Sequence, residues 1–414
     1  MNSLERNLPA PAPPFSVIIR FGLTCPRRSC FPPSGMCCRT VQKGVQLMPK
    51  SLFATCALGA FCLAGHALAQ SSEAPTWSPK AAAAYLDQRS TWWMNWPTAA
   101  RDHETFCISC HTAAPYALGR AALRGALAER SASPTEQKLL DNVTKRVRMW
   151  KEVEPFYSDQ ARGLPKTSES RGTESILDAL ILVWNDAPSG KLSADARLAL
   201  DNMWALQLKS ADDMNGAWAW LQFHNAPWEG DSQYYGTALA AIAIGSAPGD
   251  YKSEPAIQPG LKLLREYLVK GMNAQTPADR VVLLWAAAKI PGLLTEAQQK
   301  TIIDQTLAKQ QADGGFSMSS LVGSWKRRDN TPLDAGSDGY ATGLVAFALE
   351  QAGWTQSQDG LKRAIDWLGQ HQEPSDGRWP ASSLNKQREL SSDAGRFMSD
   401  AATAYAVLAL ENAK

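Results

Sequence analysis

The chain has 414 residues, 42 Lys+Arg against 40 Asp+Glu and a formal charge of +2, a balance that argues against nucleic acid as a partner. Its 44% hydrophobic and 20% charged content is that of a folded chain, and Gly 29 with Pro 25 excludes collagen-like and low-complexity classes. Two counts stand out: Trp 15 exceeds both Phe 11 and Tyr 9, and eight cysteines suggest at first a disulfide framework.

Residues 1–47 hold six basic residues against Glu5 alone, with scattered prolines and no helical or strand period, and read as an unstructured extension or a misassigned start. From Met48 the pattern becomes Met-Pro-Lys, an apolar run from Leu52 to Leu68, then Ala67-Leu68-Ala69 before Gln70. A basic start, an apolar centre and a small-x-small cleavage site predict a secretory signal peptide over 48–69, hence a periplasmic or secreted protein. No comparable apolar stretch follows, so no transmembrane segment is expected. Beyond position 69 the chain has 345 residues (414 less 69), 35 basic and 39 acidic, a charge of −4. Of the eight cysteines only Cys107 and Cys110 remain.

Those two belong to Cys107-Ile108-Ser109-Cys110-His111, the C-x-x-C-H pattern of covalent c-type haem. Two thiols at this spacing reach the two vinyl groups on one porphyrin edge, and the adjacent imidazole is placed to bind the iron. A disulfide, a redox dithiol and half a zinc site are the competing readings; the dithiol wants a βαβ context and zinc wants two further ligands. Haem c, bound through Cys107, Cys110 and His111, is therefore the expected cofactor. A second axial ligand is not fixed by spacing: His103, four residues before Cys107, is too close along the chain to cross the haem easily, and His224, His371, Met94, Met149, Met203 and Met398 are the other candidates, as is a vacant position.

From residue 78 onward the apolar period is helical, and no stretch alternates as a strand does. Amphipathic segments fall near 78–93, 134–153, 194–210, 255–271, 295–311 and 357–372, several opening on N-cap signals at Ser78, Ser133, Ser193 and Thr295. Between them lie segments apolar nearly all round, at 112–127, 172–185, 234–246, 278–288, 339–352 and 400–412, which predicts buried helices. The buried segments begin alike, at Asp231-Ser-Gln-Tyr-Tyr-Gly, Ser337-Asp-Gly-Tyr-Ala-Thr and Phe397-Met-Ser-Asp-Ala-Ala, every fifty to sixty residues or so. Six outer and six inner helices predict an all-α fold that closes as an (α/α)6 toroid, one domain over 70–414.

The stretch Lys362-Arg-Ala-Ile-Asp-Trp-Leu-Gly-Gln-His-Gln-Glu-Pro-Ser-Asp-Gly-Arg-Trp379 resembles the QW repeat of squalene-hopene and oxidosqualene cyclases, related also to protein prenyltransferase β-subunits. The resemblance covers most of 78–414. It implies a toroid in which Gln207, Trp218, Gln311, Gln372 and Trp379 tie the end of one outer helix to the next, and it accounts for the Trp excess. The D-x-D-D acid of such cyclases has no counterpart in Trp228-Glu229-Gly230-Asp231-Ser232, so cyclase chemistry is not implied.

Aligning the repeats puts His111 and Thr112 at the N-terminal end of an inner helix, and so the haem at one mouth of the ring. Long loops converge there: Phe223 to Glu229, Ser324 to Asp329, and Arg396 to Met398. His224 and Met398 are the better-placed distal ligands, and Lys326, Arg327, Arg328 and Arg396 are candidates to meet the haem propionates. Trp92, Trp93, Trp96, Trp228 and Trp325 either wall the haem or fill gaps between helices. Two functions follow: a c-type electron carrier with a redox partner protein, or a haem-dependent oxidoreductase or gas sensor taking a small hydrophobic molecule into the ring.

Overall fold

The computed structural model describes residues 77–210, 212–230 and 233–413. The expected extension at 1–47 and signal peptide at 48–69 lie outside the described residues. The helices are α1 Pro79–Asn95, α2 Ala113–Ala126, α3 Pro134–Arg148, α4 Asp159–Arg162, α5 Lys166–Asp186, α6 Ala194–Ala205 and α7 Tyr234–Ser246. They continue as α8 Gln258–Gly271, α9 Pro277–Lys289, α10 Glu296–Leu307, α11 Met318–Leu321, α12 Gly339–Gln351, α13 Asp359–Gln370 and α14 Phe397–Asn412. The fold is all-α, and none of these helices is long and apolar enough to cross a membrane.

One correction concerns strands. A two-residue pair, β1 Ala100–Arg101 and β2 Thr105–Phe106, runs antiparallel with Ala100 opposite Phe106. At that length no alternation of side chains can show in the sequence. A second concerns α5, which starts at Lys166, ahead of the expected 172. Its first turns are polar, yet Glu169 and Ser170 are buried because other segments lean on their side chains: Tyr157 N–H donates to Ser170 Oγ at 3.0 Å.

Helix starts are set by side-chain caps. Ser78, Ser133, Ser193 and Thr295 each accept a backbone N–H of the first turn, and Ser133 with Glu136 and Thr295 with Gln298 complete capping boxes. Each such cap stabilises its helix by about 1 kcal/mol. Inner helices are buried almost throughout; α7 is buried from Tyr234 to Gly245. They pack in the order α2, α5, α7, α9, α12, α14, and α14 returns to α2, while α1, α3, α6, α8, α10 and α13 lie against them from outside. Contacts of α14 with its two neighbours are very close, and glycine permits them. A Cβ on Gly119 of α2 would stand 2.8 Å from the Ala404 Cα, and one on Gly343 of α12 would stand 2.6 Å from the Ala406 nitrogen.

Three joints between outer helices share one chemistry. Gln207 Nε2 donates to the Gly216 carbonyl at 3.1 Å and to that of Gly260, in the first turn of α8, at 2.9 Å. Gln310 Nε2 does the same to Gly314 and Gly360 at 2.8 and 2.7 Å, and Gln372 Nε2 to Gly377 and Ser78 at 2.9 and 3.1 Å. Ser78 N–H returns a bond of 2.6 Å to Gln372 Oε1. The indoles point back along their own pair: Trp218 Nε1 donates to the Met203 carbonyl at 2.6 Å, Trp379 Nε1 to Leu368 at 2.8 Å. Gln310 therefore takes the part expected of Gln311, whose amide instead reaches the Ala335 carbonyl. Two adjacent glutamines carry no sequence signal that says which one faces inward.

Candidate functional site

The cysteine motif is fixed on three sides before any side-chain chemistry is considered. Asn142 of α3 clamps Phe106, accepting its N–H at 2.9 Å and donating to its carbonyl at 3.1 Å. Cys107 N–H bonds the Ala99 carbonyl at 2.8 Å, and Trp93 Nε1 donates to the Cys107 carbonyl at 2.6 Å. Ser109, inside the motif, accepts the N–H groups of Thr112 and Ala113 at 3.2 and 3.0 Å and so caps α2. Cys107 and Cys110 are buried and unbridged. Burial pushes the Cys107 thiol up to about 12 and the Cys110 thiol well above the ordinary range, so both stay protonated at neutral pH. A redox dithiol needs the opposite shift.

His111 is half-buried. Its ring stacks on Phe397 with centroids 3.8 Å apart, meets Trp93 edge-on at 4.9 Å and tilts against Trp228 at 5.6 Å. Its Nδ1 lies 2.8 Å from Thr112 Oγ1, and Thr112 Oγ1 donates to Asp400 Oδ2 at 2.7 Å. A hydroxyl has a single proton, and here Asp400 takes it, so Nδ1 must be the protonated nitrogen and Nε2 carries the lone pair. Burial, with Arg89 adding to it, lowers the imidazole to about 3, which keeps the ring neutral.

Asp400 is held in turn. Arg89 Nε donates to Oδ1 at 2.8 Å, Arg89 Nη2 to Oδ2 at 3.1 Å, and Tyr85 Oη to Oδ1 at 2.8 Å. Burial, the larger influence, raises this carboxyl above its ordinary range, and four donors from three residues, one of them a guanidinium, oppose that rise. Arg89 also reaches the Asp393 carboxylate and carbonyl at 2.8 and 2.9 Å. Sequence reasoning assigned neither Asp400 nor Arg89 a role; the repeated start of the buried segments contained Asp400 but did not show what it faces.

Below the motif the interior is polar and incompletely paired. The rings of Trp228 and Tyr340 meet at 6.0 Å and those of Tyr340 and Tyr405 at 5.2 Å, with Tyr235 beside them. Trp228 Nε1 and the Tyr340 hydroxyl are buried and face each other, with the Tyr405 and Tyr235 hydroxyls also beside Tyr340, but none of these approaches has good hydrogen-bond geometry. Glu229 acts on the charge state of both thiols, and burial raises its own carboxyl to about 7. On the other side of Cys107, Arg146 Nε bonds Glu174 Oε1 at 2.5 Å, and Asp178, one turn further along α5, has neither carboxyl oxygen partnered.

The other expected residues are placed as follows. Met398 is buried in the first turn of α14, beside Phe397, and Arg396 is half-buried with its Nε unpartnered. His224 is exposed and stacks on Trp325 at 4.3 Å; the ring neighbours of His111 are Trp93, Trp228 and Phe397 instead. Arg327 is buried and taken up by Ser383, Pro332 and Asp334, and Arg328 by the Phe223 and His224 carbonyls; Lys326 remains exposed. Trp92 and Trp96 stack at 5.2 Å near Phe397. A cleft of about 700 Å3 opens between the starts of α7 and α9 and residues 322–326, lined in part by His224, Tyr235 and Trp325.

The motif presents the residue types a c-type haem uses, two protonated, unbridged thiols three residues apart and an imidazole whose tautomer leaves the lone pair on Nε2; all three side chains are packed against the protein and line none of the clefts described. Among the described residues no group of three or more His, Cys, Asp or Glu is placed to hold a metal ion by itself.

No protein-family model matches the chain, and no curated protein does. Solved structures of a glycosidase align with it at 14% identity over 80% of this chain and 97% of theirs. The TM-score is 0.45 for the wild type and 0.43 for a variant in complex with glucose.

Proposed function

We propose that this chain is an exported c-type haem protein with an electron-transfer role, its haem at one mouth of an (α/α)6 toroid. Cys107 and Cys110 would hold the group through thioethers and His111 would supply a nitrogen to its iron. The observation that carries this reading is the run from His111 Nδ1–H through Thr112 to Asp400, which fixes one imidazole tautomer and leaves Nε2 for a ligand. When bound, the group supplies a one-electron couple. The chain's own residues prepare for it. Arg89 and Tyr85 hold the Asp400 carboxyl by hydrogen bonds, Asp400 orients Thr112, and Phe397, Trp93 and Trp228 pack around the ring and limit water. Arg396, with an unpartnered Nε beside Phe397, is a donor for a propionate.

The return of α14 to α2 supports a closed ring, as do the three Gln joints. Export by residues 48–69 accords with haem attachment outside the cytoplasm.

The test is production in a host competent for c-type maturation. Expected is one haem per chain that survives denaturing electrophoresis, lost in a Cys107→Ala/Cys110→Ala double variant that keeps its helical circular dichroism. A wild-type chain that emerges with free thiols overturns the reading. The nearby cleft favours a second reading, a haem-dependent oxidoreductase or ligand sensor. Carbon monoxide separates them: an unchanged Soret band in the reduced protein supports the electron carrier, and a shifted one the open site.

A further inference from the structure

The cleft at the start of α7 and α9 has features that the electron-carrier reading leaves unused. Its volume, about 700 Å3, falls within the roughly 300–1,000 Å3 of small-molecule sites. One wall is an aromatic shelf in which the His224 ring lies nearly parallel to Trp325, 4.3 Å between centroids and 28° between planes. This shelf is braced on both sides: Trp325 Nε1 donates to the Leu384 carbonyl at 3.0 Å, and Arg328 bonds the Phe223 and His224 carbonyls. His224 holds a φ of +50, a left-handed conformation that only a small share of non-glycine residues adopt and that needs surrounding structure to hold it.

The charges of the lining point one way. Among the described residues that line it Lys326 is the only Lys or Arg; it is exposed, and its ammonium makes neither an ion pair nor a hydrogen bond to another described residue. The acid present, Asp279, is buried in the first turn of α9, where Thr276 Oγ1 donates to its Oδ2 at 2.7 Å. Burial pushes that carboxyl up, so it opposes Lys326 less than an exposed carboxylate does. Pro227, Ala226, Val322 and Ala278 supply apolar wall, with Gln275, Thr276 and Ser324 as uncharged polar groups between them. A flat apolar body meets the shelf and an anionic end meets Lys326.

We propose that this cleft binds a flat aromatic carboxylate. In naming the ligand's chemistry the proposal rests on the second reading above, the one in which the protein takes a small organic molecule. Binding itself needs only the cleft. Tyr235 lines the cleft and belongs to the buried Tyr–Trp cluster, and Trp228 of that cluster touches His111. An occupant touching Tyr235 is thus separated from the imidazole by three side chains, Tyr235, Tyr340 and Trp228.

The experiment is a calorimetric and tryptophan-fluorescence titration of the full chain with 4-hydroxybenzoate and with 4-hydroxybenzyl alcohol, its neutral counterpart. Expected is saturable one-to-one binding of the acid, about tenfold weaker for the alcohol and about tenfold weaker for the acid in Lys326→Gln, each step being 1.4 kcal/mol. Trp325→Leu is expected to abolish binding. Trp325→Phe, which keeps a stacking face, is expected to restore it to within about threefold of wild type. Acid and alcohol binding alike, indifference to Lys326→Gln, or no saturable binding by a chain of native circular dichroism overturns the proposal. The Cys107→Ala/Cys110→Ala chain serves as the divider. Unchanged acid binding there supports the site whatever becomes of the haem, and a haem-loaded wild type that binds no acid sinks the site alone.

Discussion

The joints between outer helices and the mouth around His111 use the same kinds of residue to opposite ends. At the joints, Trp218 and Trp379 each give their indole N–H to a carbonyl, and Gln207, Gln310 and Gln372 each give their amide to two. At the mouth, Trp228 Nε1 and the Tyr340 hydroxyl meet each other and two tyrosine hydroxyls only in poor geometry, and Arg396 Nε has no partner among the described residues. A buried donor left unmade costs about 1–3 kcal/mol, so a folded chain retains several in one place only where something else is served. The contrast sets donors satisfied at the joints against donors poorly satisfied at the mouth, where ligand chemistry is proposed; Gln207 Oε1 and Arg378 Nε show that the joints too leave some atoms unpaired.

The strongest way to break that division is to show that one mouth residue matters greatly to stability. Asp400→Asn is expected to cost about 3–5 kcal/mol in urea denaturation, because it leaves the Arg89 guanidinium buried beside a neutral amide. That makes the His111 support an exception, a structural ion pair placed at the functional end. Next comes a joint. Gly216 has φ +93, and a Cβ there would stand 2.2 Å from the Leu263 carbonyl oxygen, whereas Gly353 has φ +88 with nothing within 4 Å. Gly353→Ala should cost about 1–2 kcal/mol for its backbone alone, and Gly216→Ala clearly more, as read by the shift in midpoint. Equal costs would mean that the joint is slack.

Thr112→Val is expected to lower stability by only about 1 kcal/mol while freeing the imidazole, so that nitrogen-15 shifts of His111 report both tautomers where the wild type reports one. If the tautomer is unchanged, the Thr112–Asp400 chain is not what sets it. Smallest of all at pH 4 is Asp178→Asn. Burial, then the Glu174 charge, pushes the Asp178 carboxyl well above its unfolded value near 3.9. Above that value the unfolded chain has released the proton and the folded one retains it, so wild-type stability falls as pH rises. The Asn variant lacks this fall; its denaturation midpoint should match wild type at pH 4 and exceed it increasingly toward pH 7. Parallel curves would mean that Asp178 is solvated or paired.

The sequence made the helices readable because each repeat alternates a one-sided and an all-round apolar segment, and that period survives without any alignment. Caps such as Ser133 with Glu136 are local and were legible too. Cys107, Cys110 and His111 were legible because the spacing itself is the chemistry. The support of His111 was not: Thr112 and Asp400 are 288 residues apart, and Tyr85 and Asp400 are 315. Nothing within reach of a sequence window marks Asp400 as facing the haem motif more than its neighbour Ser399. Arg327 misled for the converse reason. A Lys-Arg-Arg run looks solvated or ligand-facing, and its middle member turned inward to hold Ser383 and Asp334.

The bond from Gln372 to Ser78 gives the molecule a seam in time as well as in space. Ribosomes lay down roughly 5–20 residues per second, so the 294 residues between these two partners take about 15–60 s to make. Throughout that interval α1 and α2 exist without α14, and His111 without the carboxylate that selects its proton. The cysteine–histidine motif is made well before Asp400, the residue that orients its imidazole through Thr112.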